Sequence, residues 1–242
     1  MKALKRKILP GGGVQIYFLG IKVLSYTSAP LKELERIERR LGELFPPDNR
    51  ILIRESRTAH RYLNGLRGIE IGGGAHSPFG LNTLNVDYTD ESTVFTKACV
   101  DEFHCEPLKV DIVAPGDDLP FKDNTWDFVV NAHVLEHFFD PIKAITEWIR
   151  VIRPGGILFM IVPHKDRIFD YDKPRTTLGE LIDRHEGNVH RGEESFHNGH
   201  HSFWFPEDVV ELCTYLGLNV VEVMDPDDKA GNGFTVVVRK HE

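Results

Sequence analysis

Residues 133–137 read HVLEH, two histidines four positions apart with Glu136 directly before the second. On a helix, His133 and His137 would share one face with the carboxylate beside them. The order H-x-x-E-H is that of an inverted zinc-peptidase signature. Such a peptidase needs a long helix through the motif and a third protein ligand. Asp140-Pro141 follows three residues after the second histidine and leaves little room for that helix. The peptidase is therefore disfavoured. Two alternatives stay open: His137 caps or packs beneath a ligand, or both histidines line a cofactor or acceptor pocket. Other residues able to do chemistry stand at comparable places. Glu70, Gly72, Gly73 and Gly74 close the run GIEIGGG, Asp87 closes LNTLNVD, Gly116 and Asp117 lie in APGDDLPF, and Asn131 stands two residues before His133.

The elements that must position these residues follow from periodicity. GIEIGGG, LNTLNVDY, KVDIVAP, WDFVVNAH and GGILFMIVPH are short apolar runs, and the amphipathic PIKAITEWIRVI separates the last two. Strands alternating with helical segments predict an α/β fold with a doubly wound, mostly parallel sheet. Near the end, Asn219 to Met224 and Phe234 to Arg239 are strands with no helix between them, which predicts a C-terminal antiparallel hairpin on the sheet edge. Residues 1–66 read as an N-terminal extension, and 67–242 as the main domain with a polar, histidine-rich lid insertion over 165–203. Within the extension, VQIYFLG and IKVLSY predict short strands or an extended arm, packed on the body or on a second copy in a homodimer. The spacing of Leu31, Leu34, Ile37, Leu41 and Leu44 predicts an amphipathic helix that Pro46 and Pro47 stop. A second helix is expected between Arg54 and Leu66.

Composition bounds the function classes. Of the 242 residues, 41% are apolar and 27% charged, the balance of a globular chain with a sizeable core. A net charge of -8 argues against nucleic acid as the main partner. Cys99, Cys105 and Cys213 form no C-x-x-C pair, which predicts a reducing compartment, a cytoplasmic location and no disulfide framework. Cys99 is expected to be buried. The basic first residues followed by an apolar stretch resemble a signal peptide only superficially, because Pro10, three glycines and Lys22 interrupt the run. The KRK head is expected to be solvated. No window reaches the roughly 18 apolar residues that a transmembrane helix needs.

In an open parallel sheet, ligands bind beyond the carboxyl ends of the strands, where strand order reverses. Glycines at the first strand end let backbone approach a ligand, although GGG could also be an ordinary turn. Their spacing is not G-x-G-x-x-G, which disfavours a dinucleotide pyrophosphate. Asp87 follows Glu70 by 17 positions, close to the offset of an acid that grips ribose hydroxyls; the alternative is a helix N-cap. Gly116 and Asp117 could meet an adenine edge, or Asp117 and Asp118 could be plain turn residues.

Together, GIEIGGG, the acid in NVDY, DDLPFKDNTWDFVVNAHVLEHFFDP and RVIRPGGILFMIVPHKD resemble class I S-adenosylmethionine-dependent methyltransferases, over about Gly68 to Arg239. The resemblance implies a seven-stranded Rossmann-like sheet with S-adenosyl-L-methionine as cofactor. It implies that Gly72 and Gly74, with Glu70 and Gly73 in the same turn, hold the methionine part. It further implies that Asp87 binds ribose, that Gly116 and Asp117 face adenine, and that Asn131 borders the site. Pro115 stands where many members carry an acid that contacts the adenine amine, and Asp117 is the substitute. A looser resemblance, in VPHKDRIFDYDKPRTTLGELIDRH and HHSFWFPEDVVELC, is to methyltransferases encoded with glycosyltransferases in surface-polysaccharide biosynthesis. It implies O-methylation of a sugar hydroxyl, a carbohydrate acceptor and glycosyltransferase partners.

Such a hydroxyl is a poor nucleophile, and histidine suits the base that would assist it. The candidates are His133 and His137 at the fourth strand, His164 after the fifth, and His197, His200 and His201 in the lid, with His133, His137 and His200 foremost; an aromatic of SFWF could stack on a sugar face. A divalent metal could also lower the pKa of the acceptor, with Glu136, Asp166, Asp170, Asp172, His197 and His200 as potential ligands. Competing classes are a phenol or other small-molecule methyltransferase, a noncatalytic scaffold of a glycan-assembly complex, and a nicotinamide oxidoreductase. The last lacks its glycine pattern.

Overall fold

The computed structural model describes strands 4–8, 14–18 and 21–26 as backbone, and residues 56–74, 79–91, 108–190 and 199–242 with their side chains. The helix expected over 31–45, Cys99, Cys105 and His197 lie outside the described residues. Near the start, β1 (Leu4–Ile8), β2 (Val14–Phe18) and β3 (Ile21–Tyr26) form an antiparallel three-stranded sheet. The two expected strands are there, and Lys5 to Lys7, expected only as a solvated head, are the middle of a third.

The second sheet has seven strands: β4 (Gly68–Ile71), β5 (Thr83–Asp87), β6 (Ile112–Val113), β7 (Trp126–Ala132), β8 (Ile152–Pro163), β9 (Asn219–Met224) and β10 (Gly233–Arg239). Their order is β6-β5-β4-β7-β8-β10-β9. The first five are parallel, and β10 runs antiparallel to both neighbours. The doubly wound sheet with its C-terminal hairpin is therefore present, with β10 on the inner side of the hairpin and β9 at the edge. Strand order reverses between β4 and β7, so ligand chemistry is directed to the ends of those two strands.

Alternation along the central strands sorts their side chains onto two faces. Phe128, Val130 and Ala132 of β7 join Ile157, Phe159 and Ile161 of β8 beneath α1 (Arg57–Leu63), which buries Ala59 and Leu63 there. Val129, Leu158, Met160 and Val162 face α2 (Pro141–Val151) and α4 (Pro206–Tyr215). Complete burial of Phe128 and Phe159 stabilises by roughly 1.5–3 kcal/mol each. α1 is shorter than the expected 54–66. Ser56 caps it by accepting from the Ala59 amide, and Asp228 accepts from Ser56 Oγ at 2.6 Å and the Thr58 amide at 2.9 Å. A carboxylate at that end also meets the favourable end of the helix dipole.

α2 starts at Asp140, whose carboxylate accepts from the Lys143 amide, with Pro141 at the first helical position. At its other end Lys240 Nζ donates to the carbonyls of Ile149 and Ile152, both at 2.7 Å. Between these ends α2 anchors the loop that follows β6. Trp148 Nε1 donates to the Gly116 carbonyl at 2.7 Å, Glu147 accepts from the Leu119 amide at 2.6 Å, and Arg150 reaches the carbonyls of Leu119 and Phe121.

The inserted segment leaves β8 at His164 and returns at Trp204, and the two residues form a β-bridge. Inside it, α3 (Leu178–His185) begins with a capping box between Thr177 and Glu180 and buries Leu181 against α2 and α4. The Thr176 amide donates to the Phe203 carbonyl and the Phe203 amide to Thr176 Oγ1, both at 3.0 Å. Among the described residues no helix is long and apolar enough to cross a membrane.

Three substitutions test this packing. A Cβ on Gly68 would lie 2.4 Å from the Phe128 ring, whereas one on Gly179 in α3 meets its nearest atom at 4.0 Å. Gly68→Ala is expected to cost about 1–3 kcal/mol by overpacking, and Gly179→Ala to gain about 0.4–1 kcal/mol, read from urea unfolding midpoints. Trp148→Phe, which strips the Gly116 carbonyl of its donor, should cost about 1–3 kcal/mol in the same assay.

Candidate functional site

Three strand-end segments meet at the reversal point. The first is the glycine turn after β4. Gly72 takes φ +64°, and its amide donates to the Val86 carbonyl at 2.9 Å. A Cβ there would lie 2.8 Å from Val134 Cγ2, inside the HVLEH segment. The Gly73 amide donates to Asn85 Oδ1 at 3.0 Å, and a Cβ on Gly73 would strike that oxygen at 2.6 Å. Among the described residues nothing lies within 4 Å of a Cβ added at Gly74. Glu70 is buried in β4 under the turn, with its Cδ 3.1 Å from the Cβ position of Gly73.

Asn85 is a residue that pattern reading missed. It is fully buried in β5, and its Nδ2 donates to the carbonyls of Leu108 and Lys109 at 3.3 and 3.2 Å. It thereby ties the glycine turn to the segment entering β6. The available signal was a polar residue in the middle of an apolar strand run.

Asp87 is the last residue of β5 and pairs with Val113. One carboxylate oxygen accepts from the Tyr88 amide at 2.7 Å. Burial raises its pKa, opposed by the amides of Tyr88 and Thr89. No helix begins on it, so the N-cap alternative fails. The loop after β6 then crosses the end of β4. A Cβ on Gly116 would lie 2.8 Å from Phe138 and 3.1 Å from Ile71, so this glycine permits close packing. Asp117 turns toward α2 and pairs with Lys143 Nζ at 2.9 Å.

Asn131 lies next to Ile71 across the β4–β7 ladder. It is fully buried, and neither its Nδ2 nor its Oδ1 has a hydrogen-bond partner among the described residues. An unpartnered buried amide costs free energy unless a ligand satisfies it.

The HVLEH segment leaves β7 through His133, which takes φ +56°, an uncommon conformation for a residue other than glycine. Leu135–His137 is a single 3-10 turn, without the long helix that a zinc peptidase would need. The turn points the Glu136 carboxylate inward. Glu136 is fully buried, and neither carboxylate oxygen has a hydrogen-bond partner among the described residues. Three imidazole nitrogens surround its Oε1: His137 Nε2 at 3.8 Å, His133 Nδ1 at 3.9 Å and His200 Nε2 at 3.9 Å. The sequence therefore named three histidines that the fold brings together from two segments. His200 arrives on the returning end of the insertion, which docks through the His201 amide onto the Glu136 carbonyl at 2.7 Å.

Burial sets the electrostatics. It pushes the Glu136 carboxyl up to about 8 and the imidazoles of His133 and His200 down to about 3 and about 4. His137 is also lowered by burial, opposed by the Gly199 carbonyl 3.4 Å from its Nδ1. His137 has 31% of its side chain exposed, against 9% for each of the other two, so it forms the accessible face of the cluster. Phe169, 76% exposed, leans on the His200 ring at 5.2 Å. Of the other named residues, His164 caps the 3-10 turn after β8 and packs on Phe205, His201 stacks edge-on with Phe139, and Asp166 lies 3.8 Å from Lys165.

A family model described as a methyltransferase domain matches residues 70–160. An uncharacterized protein of Methanocaldococcus jannaschii is 32% identical over 123 residues, which are 49% of this chain and 56% of that protein. The chloroplastic 2-methyl-6-phytyl-1,4-hydroquinone methyltransferase 2 of Oryza sativa is 34% identical over 116 residues, 43% of this chain and 31% of the relative. The chain thus spans between about a third and just over half of the length of these relatives. A crystal structure from Thermotoga maritima, of an S-adenosylmethionine-dependent methyltransferase titled a possible histamine N-methyltransferase, superposes with a TM-score of 0.50. It is 16% identical and covers 87% of this chain and 100% of its own, a likeness of fold. Residues 70–160 thus match a methyltransferase-domain model, and the seven-stranded sheet with its reversal point between β4 and β7 is similar in fold to a solved S-adenosylmethionine-dependent methyltransferase.

Proposed function

We propose that the chain binds S-adenosylmethionine across the ends of β4, β5 and β7 and methylates a hydroxyl oxygen, that of a sugar in a glycan or glycoconjugate. The observation that carries the first half is the glycine turn itself. Gly72 in the left-handed region and Gly74 after it form a cradle that a side chain would fill, beside the partnerless amide of Asn131. These residues fit the methionine portion of the cofactor, with Glu70 and Gly73 supporting the turn. Asp87 at the next strand end is placed to accept from ribose hydroxyls, as a carboxylate can from two donors. The loop of Gly116 and Asp117, pinned by Trp148 and Lys143, supplies the wall for adenine.

When bound, the cofactor supplies an electrophilic methyl group on a sulfonium. The protein's task is then to hold an acceptor oxygen in line with that carbon and to receive the hydroxyl proton. His137 suits the second part. A carbonyl can only accept, so the contact with Gly199 puts the proton on Nδ1 and leaves a lone pair on Nε2. The Val134 side chain touching the Gly72 turn keeps this histidine cluster next to the methyl donor. His133 and His200 complete the wall behind it.

The sugar assignment rests on the resemblance of the stretches 162–185 and 200–213 to polysaccharide-pathway methyltransferases. It is supported by exposed Phe169 beside His200, an aromatic face of the kind that stacks on a sugar ring. Glycosyltransferases of the same pathway would then be the partners. A second acceptor class has its own support. The hydroquinone methyltransferase named above is a relative, and the same aromatic wall would stack on a phenolic ring.

Asp87→Ala is expected to weaken S-adenosylmethionine binding at least tenfold by calorimetry, and unchanged affinity would remove Asp87 from the cofactor site. A labelled methyl donor offered with hexose and deoxyhexose glycosides against hydroquinones should mark the glycosides. Transfer only to the hydroquinones would replace the sugar assignment, and cofactor binding without transfer to any acceptor would favour a scaffold.

A further inference from the structure

Three imidazole nitrogens stand 3.8–3.9 Å from one buried carboxylate oxygen, and none closes to hydrogen-bond distance. A histidine and a carboxylate that shared a proton would draw together to about 2.7–2.9 Å. Here all three hold off equally, and both oxygens of a fully buried Glu136 lack a hydrogen-bond partner among the described residues. One Glu136 oxygen and one nitrogen each from His137 and His200 lie within 4.8 Å of one another. Donors bound to one tetrahedral ion by bonds of about 2.1 Å stand about 3.4 Å apart, so an ion between these atoms would need the two Glu136–histidine separations to close by about half an ångström and the histidine–histidine separation by at most about 1.4 Å.

The surroundings of the two imidazoles match a built site. The His137 Nδ1 faces the Gly199 carbonyl at 3.4 Å, and the His200 Nδ1 lies 3.0 Å from Asp170 Oδ2 without forming a hydrogen bond to it. Both rings thus have an acceptor behind Nδ1 and present Nε2 to the same oxygen. Metal-ligating histidines almost always have such a carboxylate or carbonyl behind them, which fixes the tautomer and raises ligand basicity.

We propose that Glu136, His137 and His200 bind a divalent transition-metal ion of the zinc, manganese or cobalt class, with Asp170 and the Gly199 carbonyl orienting the two imidazoles. Two imidazoles and one carboxylate favour these ions over magnesium or calcium, which take oxygen donors. Three protein ligands leave positions open, the arrangement of catalytic rather than structural sites. The partly exposed flank of His137 is where an outside oxygen would enter. Resting on the methyl-transfer assignment, the ion would hold the acceptor hydroxyl there and lower its pKa so that the proton leaves to solvent; a His137 whose Nε2 is ligated has no lone pair to take it, so with metal bound the ion replaces His137 as the group that readies the hydroxyl. Asp166 and Asp172, which the sequence also offered as ligands, do not join the group.

Titration of cobalt(II) and zinc(II) into chelator-treated protein tests this without reference to turnover. The expected result is one ion per chain, with the visible d–d bands of cobalt in a nitrogen–oxygen site. Glu136→Gln and His200→Asn should abolish those bands, Asp170→Asn should weaken affinity about 10–100-fold, and His185→Asn should change nothing. Thermal melts establish that each variant is folded; if Glu136→Gln is not, His200→Asn decides. Absence of stoichiometric binding, or wild-type spectra in a folded His200→Asn, overturns the site. S-adenosylmethionine calorimetry on the chelated protein separates the two proposals. Cofactor binding without metal binding ends this one alone, and metal binding without cofactor binding ends the methyltransferase assignment alone.

Discussion

The site depends on a close approach between two loops. The turn after β4 passes so near the turn after β7 that a single added carbon on Gly72 would meet Val134 at 2.8 Å. Only glycine gives both the left-handed backbone and the clearance. Because these loops flank the point where strand order reverses, their contact joins a backbone cradle to a cluster of imidazoles. Neither loop alone makes a site: the glycine turn has no acid–base chemistry, and HVLEH has no place to hold a small molecule.

The rest of the fold keeps that contact in register. Asn85 holds the glycine turn from below and links it to the segment before β6, while Trp148, Glu147 and Arg150 hold the loop after β6 from the side of α2. The inserted segment closes the third side. Its returning end bonds to the Glu136 carbonyl through the His201 amide and brings His200 over the buried carboxylate. Glu136 is buried with neither oxygen hydrogen-bonded among the described residues, a condition that carries a desolvation cost. A group kept in that condition at a strand-end crevice points to a bound species.

Much of this was legible in the sequence. Alternating apolar runs and helical spacing specify the parallel sheet, and the missing helix between 224 and 234 specifies the hairpin, because each element's period is local. Pro141 likewise spoke against the peptidase helix, and the structure has a 3-10 turn at Leu135–His137. The adhesive parts of the site were less legible. Asn85 and Trp148 act through partners 12 to 32 positions away, and nothing in their neighbours marks those partners. Gly116 was expected to bring backbone to a ligand, yet its lack of a side chain also makes room for Phe138 and Ile71. The convergence of Glu136 with His137 and His200 spans 64 positions and depends on how the insertion folds back. Sequence could supply the ligand types but not their meeting.

The most direct test of the account is a crystal structure with S-adenosylhomocysteine bound. The account predicts the homocysteine portion against Gly72–Gly74 and Asn131, the ribose on Asp87, and the sulfur on the side of the crevice facing His137. A product molecule seated elsewhere, or a glycine turn left bare at saturating concentration, would contradict it.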